Sequence, residues 1–117
     1  MSWEMVDEGW GRRAVEFATL SEPSACREYV AVQHRLGVGA GDRLLDVACG
    51  SGLAIELARV RDAVCSGIDA SPRLVAVAKD RNPGSDIRVG DMEALPWDRE
   101  TFEIVTSFRG IWGTTPN

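Results

Sequence analysis

The segment Leu44-Leu45-Asp46-Val47-Ala48-Cys49-Gly50-Ser51-Gly52 limits what this chain can become more than any other part of it. An apolar run from Arg43 to Val47 reads as a buried strand, the two glycines as a tight turn, and the stretch from Leu53 to Arg59 as a helix entered directly from that turn. The same rhythm then continues. A second strand, about Ala63 to Ile68, ends in Asp69, and Ser71-Pro72 offers an N-cap and a proline at the first position of a helix running to about Arg81. Asn82-Pro83-Gly84 breaks that helix, Ile87 to Val89 forms a third strand, and Phe102 to Phe108 a fourth. Alternation of strand and helix signals an α/β domain with a mostly parallel sheet.

The residues ahead of Arg43 follow a different period. Residues 1 to about 40 read as a helical lead-in, with Ser24 as N-cap, Ala25, Tyr29, Val32 and Leu36 as an inward stripe, and Gly37 as the stop. Trp3, Trp10 and Phe17 recur every seven residues, an aromatic stripe if helical, although Gly9 and Gly11 weaken it. The chain therefore divides at about residue 40 into this lead-in (1–40) and a ligand-binding domain (41–117).

Charge and composition narrow the partners. With 13 Lys+Arg against 18 Asp+Glu, the net charge of −5 lacks the positive excess that phosphate backbones demand, so no nucleic acid is expected. No apolar run approaches the roughly 20 residues of a membrane span, and the acidic start Met1-Ser2-Trp3-Glu4 lacks the layout of a secretory signal. A cytoplasmic location without membrane association follows as the expectation. Cys26, Cys49 and Cys65 have no metal-ligand spacing and read as free, buried thiols; no metal is expected.

Glycine at 50 and 52 permits left-handed backbone and lets a ligand approach the main chain, while the helix that follows presents unpaired N–H groups. A Walker A loop would need Gly-Lys-Ser/Thr where this chain has Gly52-Leu53-Ala54, which excludes a nucleotide triphosphatase. A dinucleotide fingerprint would need glycine at Ile55, which disfavours a nucleotide-dependent oxidoreductase. Asp46 beside the loop suits a ligand carrying positive charge better than a pyrophosphate.

Leu45 to Gly52 resembles motif I of the class I S-adenosylmethionine (SAM)-dependent methyltransferases. Gly67-Ile68-Asp69-Ala70-Ser71-Pro72 resembles their motif II, and Arg88-Val89-Gly90-Asp91-Met92-Glu93-Ala94-Leu95-Pro96-Trp97 the segment after their third strand. Phe102 to Phe108 is similar to the fourth strand leading to the mouth of the site. The likeness runs from Arg43 to about Phe108 and is nearest to the small-molecule and ubiquinone-biosynthesis-like branch. It implies a Rossmann-like fold whose seven strands lie in the order 3-2-1-4-5-7-6, of which 3-2-1-4 is present here and the later strands are missing. It also implies SAM as cofactor, with S-adenosylhomocysteine as product. Asp46, Ala48, Gly50, Gly52, Asp69, Ala70, Asp91, Met92 and Ser107 match cofactor-binding positions: Asp69 would accept both ribose hydroxyls, Asp91 the adenine amino group, and Met92 would pack near the ring.

Methyl transfer is an in-line displacement on carbon already activated by positive sulfur, so alignment can supply much of the rate and no catalytic residue is assigned. Ser107-Phe108-Arg109-Gly110 lacks the Asn/Asp-Pro-Pro-Tyr/Phe of amino-methylating branches, leaving a small-molecule acceptor as the expectation. His34, near a helix end, and Tyr29, on an apolar stripe, read as structural; Arg109 and Trp112 could equally touch substrate or belong to an exposed tail. An apolar fourth strand at the sheet edge is a pairing liability, to be covered by a second copy of the chain or by a missing C-terminal half. The alternative function is a non-catalytic SAM-binding or interaction module.

Overall fold

The computed structural model describes residues 22–98 and 100–108, and four parallel strands organise them. β1 (Arg43–Val47) is central. It pairs with β2 (Val64–Asp69) from Arg43↔Val64 to Val47↔Ile68, and on its other side with β4 (Ile104–Thr106) from Leu44↔Ile104 to Asp46↔Thr106. β3 (Asp86–Val89) lies outside β2. The order β3-β2-β1-β4 is the one the sequence implied. Helices α1 (Glu22–Leu36), α2 (Leu53–Val60) and α3 (Pro72–Arg81) complete the described elements.

The apolar run of β1 is explained by burial on both faces. Leu44, with Cys65 and Ile87, meets Ile55 and Ala58 of α2 and Val75 and Ala78 of α3. Leu45 and Val47, with Ile68, are covered instead by Met92, Trp97 and Phe102 from the segment between β3 and β4. Two polar clasps hold that segment. Arg43 donates from Nε to both Glu103 oxygens at 3.0–3.1 Å, and Glu103 N–H reaches the Arg43 carbonyl at 2.9 Å. At the far edge the Arg88 guanidinium grips Asp86 through two 2.9 Å bonds and lies 4.5 Å over the Trp97 ring. Both ion pairs are solvent-exposed, so they fix register more than they stabilise.

Helix ends follow the local chemistry. Ser71 caps α3, its Oγ accepting from Leu74 N at 3.2 Å with Pro72 at the first helical position, as the sequence predicts. Gly37 ends α1 in a left-handed conformation (φ 69), with Gly37 N–H on the His34 carbonyl and Val38 N–H on that of Gln33, a Schellman motif.

Four expectations need correction. Ser24 lies inside α1 and does not cap it. The inward stripe of α1 is Ala25, Tyr29 and Gln33, spaced by four and turned toward α2, whereas Leu36 is exposed in the last turn. The fourth strand is only Ile104–Thr106: Phe102 turns to Trp97, and Phe108 stacks 4.3 Å from Tyr29, so both aromatics leave the ladder. The second strand begins at Val64, one residue later than expected, because Ala63 N–H closes the end of α2 by bonding the Ala58 carbonyl. Trp3, Trp10, Phe17, Arg109 and Trp112 lie outside the described residues.

Candidate functional site

At the carboxyl ends of the strands, the turn from β1 to α2 is built from unusual backbone. Ala48 (φ 60), Gly50 (φ 54) and Gly52 (φ 86) all take positive φ, and an alanine there is uncommon enough to mark strain. Cys49 N–H bonds the Ile68 carbonyl at 3.0 Å, carrying the β1–β2 pairing into the loop, and Gly52 N–H folds back on the Cys49 carbonyl at 3.0 Å. The sequence reading gave Gly52 room for a ligand. Its missing Cβ would instead fall 2.7 Å from Asn82 Nδ2 and 2.9–3.0 Å from Ala78, so this glycine is needed for α3 to pack against the loop.

Asp69 fastens the loop from below. Its Oδ2 accepts from Gly50 N–H and its Oδ1 from Ser71 N–H, each at 2.9 Å, while its carbonyl accepts from Gly90 N–H at 3.1 Å. One residue thus ties together the exits of β1, β2 and β3.

Asp46 sits elsewhere. Only 2% exposed, it accepts a 2.7 Å hydrogen bond from the hydroxyl of Thr106, its ladder partner on β4. Burial pushes its carboxyl up to about 7, with the Thr106 hydrogen bond opposing and the nearby Asp69 charge adding to the rise. Asp91 is exposed after β3, its Oδ1 accepting from Glu93 N–H at 2.8 Å in a local turn. Met92 is half-buried against the β1–β2 face, Ala70 is buried after β2, and Ser107 is exposed just past β4. All nine sequence-predicted positions therefore lie at or just beyond the carboxyl ends of the four strands. Asp46, however, is bonded to β4 and not to the loop-and-Asp69 network.

Two residues of the site's framework were missed. Asn82, read only as part of a helix breaker, is 1% exposed; its Nδ2 donates to the Gly52 and Ala78 carbonyls at 3.0 and 3.1 Å, and its Oδ1 accepts from Arg59 at 3.3 Å. Nothing local in the sequence signals this bond across 30 residues. Thr106 had a signal: it is a hydroxyl within an apolar strand, in register with the acid of β1. Tyr29 packs in the core with Ala25 and Ala54, and His34 is exposed in the last turn of α1. Cys49 and Cys65 are buried free thiols, pushed upward by burial, Cys65 to about 11, so neither is a ready nucleophile. Among the described residues no three His, Cys, Asp or Glu side chains cluster to hold a metal, and no helix is long and apolar enough to cross a membrane.

A parallel sheet ordered 3-2-1-4, with a glycine turn after β1 and acids near the ends of β1 and β2 and just past β3, defines a Rossmann-like domain with its ligand site at the strand ends. Residues 44–117 match the methyltransferase domain family, and the chain belongs to it, among the class I SAM-dependent methyltransferases, whose cofactor is SAM. It is 31% identical over 121 residues to the 27-O-demethylrifamycin SV methyltransferase of Amycolatopsis mediterranei, covering 92% of this chain and 44% of that one. A demethylmenaquinone methyltransferase of Chlorobaculum tepidum is 34% identical over 70 residues, 59% of this chain and 29% of its own. Among solved structures, a SAM-dependent methyltransferase from Thiobacillus denitrificans in complex with S-adenosylhomocysteine superposes with TM-score 0.62 at 27% identity, over 73% of this chain and 37% of that chain. The chain spans less than half the length of each of these relatives.

Proposed function

We propose that this chain carries the SAM-binding part of a methyltransferase acting on a small-molecule acceptor. The observation that carries the reading is Asp69, an acid 9% exposed at the end of β2 and pinned by Gly50 and Ser71 N–H groups beside the glycine turn. A carboxylate at this position, beside the glycine turn, suits the two hydroxyls of a ribose as donors to it. Gly50, Gly52 and Ala48 supply the loop for the amino-acid end of the cofactor, with Ala70 beside Asp69 under the ribose. Asp91 accepts from the adenine amino group, Met92 lies against the ring, and Asp46 and Ser107 border the reacting end. Held there, the methyl group needs chiefly an acceptor aligned with it, since proximity and orientation are worth up to about 7–11 kcal/mol. The names of the relatives, which act on a rifamycin and on demethylmenaquinone, support a small organic acceptor. The division at about residue 40, with residues 41–117 forming the cofactor domain, belongs to the same proposal, as does a cytoplasmic location.

Isothermal titration of the 117-residue chain with SAM, S-adenosylhomocysteine and NADH tests the reading. Saturable binding of the first two alone is expected. Binding of NADH alone would overturn it in favour of an oxidoreductase.

A further inference from the structure

The glycine turn is held at its two ends by different parts of the chain. Gly50 N–H donates to Asp69 at the end of β2, whereas the Gly52 carbonyl accepts at 3.0 Å from Nδ2 of Asn82, the residue that closes α3. Arg81, one residue earlier, donates from Nη1 to the Ser51 carbonyl at 3.4 Å, so consecutive residues at the end of α3 reach consecutive carbonyls of the turn. The Asn82 amide has a single orientation in which both of its ends are used. Its Oδ1 accepts from Arg59 Nη1 of α2 at 3.3 Å, and its Nδ2 donates to the Ala78 carbonyl at 3.1 Å as well as to Gly52. Closure of α3 does not depend on this side chain, because the Asn82 N–H already bonds the Ala78 carbonyl at 2.9 Å. What the side chain adds is a buried bond across 30 residues to the turn, made possible by a glycine whose Cβ would fall 2.7 Å from the donating Nδ2. The same Gly52 carbonyl accepts from Glu56 N–H at 3.0 Å, so Asn82 also fixes where α2 starts.

We propose that Asn82, oriented by Arg59, is a positioning residue for the amino-acid end of the cofactor: from the buried side it sets where the Gly50–Gly52 turn lies, while touching no ligand itself. The inference rests on SAM occupying this site with the turn against its amino-acid end and Asp69 at its ribose. Two anchors on one turn then have separable effects. Slackening the Gly52 end displaces the surface met by the amino-acid end, whereas Gly50 stays tied to Asp69 by a bond in which Asn82 takes no part. An asparagine that acted on stability alone would weaken whole and truncated cofactor equally, by populating unfolded chain that binds neither.

The test compares S-adenosylhomocysteine with 5′-methylthioadenosine, which keeps the adenosine and the sulfur but lacks the amino-acid end, by titrating both into the full 117-residue chain and its variants. Asn82→Ala removes the amide, and Arg59→Met leaves the amide in place without the donor that orients it. Each should weaken S-adenosylhomocysteine by roughly two- to tenfold, the equivalent of one net hydrogen bond, and leave methylthioadenosine within about twofold of the wild type. Arg59→Lys, which keeps a donor for Oδ1, should return both ligands to their wild-type affinities. Should Asn82→Ala fail to fold, the two Arg59 variants decide the matter. Equal losses for the two ligands, no loss for either, or methylthioadenosine failing to bind the wild type overturns the inference and leaves the cofactor assignment standing; no binding of S-adenosylhomocysteine to the wild type overturns both.

Discussion

Replacing Gly52 by alanine probes the contact that holds the glycine turn against α3. Two penalties combine. An L-residue at φ 86 pays about 1–2 kcal/mol for the left-handed region. The added methyl then meets Asn82 Nδ2 at 2.7 Å and the Cβ and Cα of Ala78 at 2.9 and 3.0 Å, and because one of these is backbone, relief requires moving α3. Overpacking of this kind costs about 1–3 kcal/mol. The total, about 2–5 kcal/mol, is a large share of the roughly 5–15 kcal/mol that stabilises a domain. Gly84→Ala separates the two contributions, since Gly84 has φ 88 but nothing within 4 Å of its would-be Cβ. Urea unfolding of both variants and the wild type should rank Gly52→Ala below Gly84→Ala by about 1–3 kcal/mol, the packing contribution alone. Equal midpoints at equal slope would refute the claim that close packing on Asn82 and Ala78 dictates glycine here.

Further outcomes follow from the same geometry. Asp69→Ala removes an acceptor proposed to take two hydrogen bonds, each worth about 1.5–3 kcal/mol, and should weaken SAM binding at least about tenfold by titration; unchanged affinity would remove Asp69 from the ribose site. Asn82→Ala removes a buried side-chain donor from the Gly52 and Ala78 carbonyls, each of which keeps a backbone donor, Glu56 N–H and Asn82 N–H, and should lower stability by about 0.5–1.5 kcal/mol per lost bond in urea. Because burial raises Asp46 from 3.8 to about 7, the folded state holds a proton that the unfolded chain releases, so this residue's contribution declines as pH rises from about 4 to about 7. Asp46→Asn should abolish that part of the decline and be the more stable form at about pH 8, by an amount up to a few kcal/mol; matching pH profiles of unfolding midpoint would contradict the burial argument.

Local signals carried most of the architecture. The strand-glycine-helix unit at Arg43–Val60, the Ser71-Pro72 cap and the Gly37 stop depend on neighbours within a few residues, and all three appear where the sequence placed them. What escaped depends on contacts made by distant parts of the chain. The length of β4 is set by where Phe102 finds Trp97 and Phe108 finds Tyr29, partners that no periodicity reveals. Gln33, a polar residue of α1, is buried with its Nε2 donating to the Ala54 carbonyl at 2.8 Å, a contact across 21 residues. In the site, the loop and the Asp69 position were legible from type and spacing. The partnership of Asp46 with Thr106 required knowing that β4 lies next to β1.

The clasp between Arg43 and Glu103 joins residues 60 positions apart, the same separation that β4 must close to find β1. Closing a loop of that length carries an entropic penalty that is only repaid once the strand is docked, and non-local parallel pairing of this sort is slow. The cluster around Ile55, Ala58 and Ala78 is built from the β1–β2–β3 unit with α2 and α3, and β4 adds Ile104 at its side. Folding should accordingly proceed in two stages, with amides of β1 and β2 protected early from hydrogen exchange and those of Ile104 to Thr106 last. Since Thr106 reaches Asp46 only in that second stage, the crevice between β1 and β4 would be the last feature of the molecule to form and the first to open.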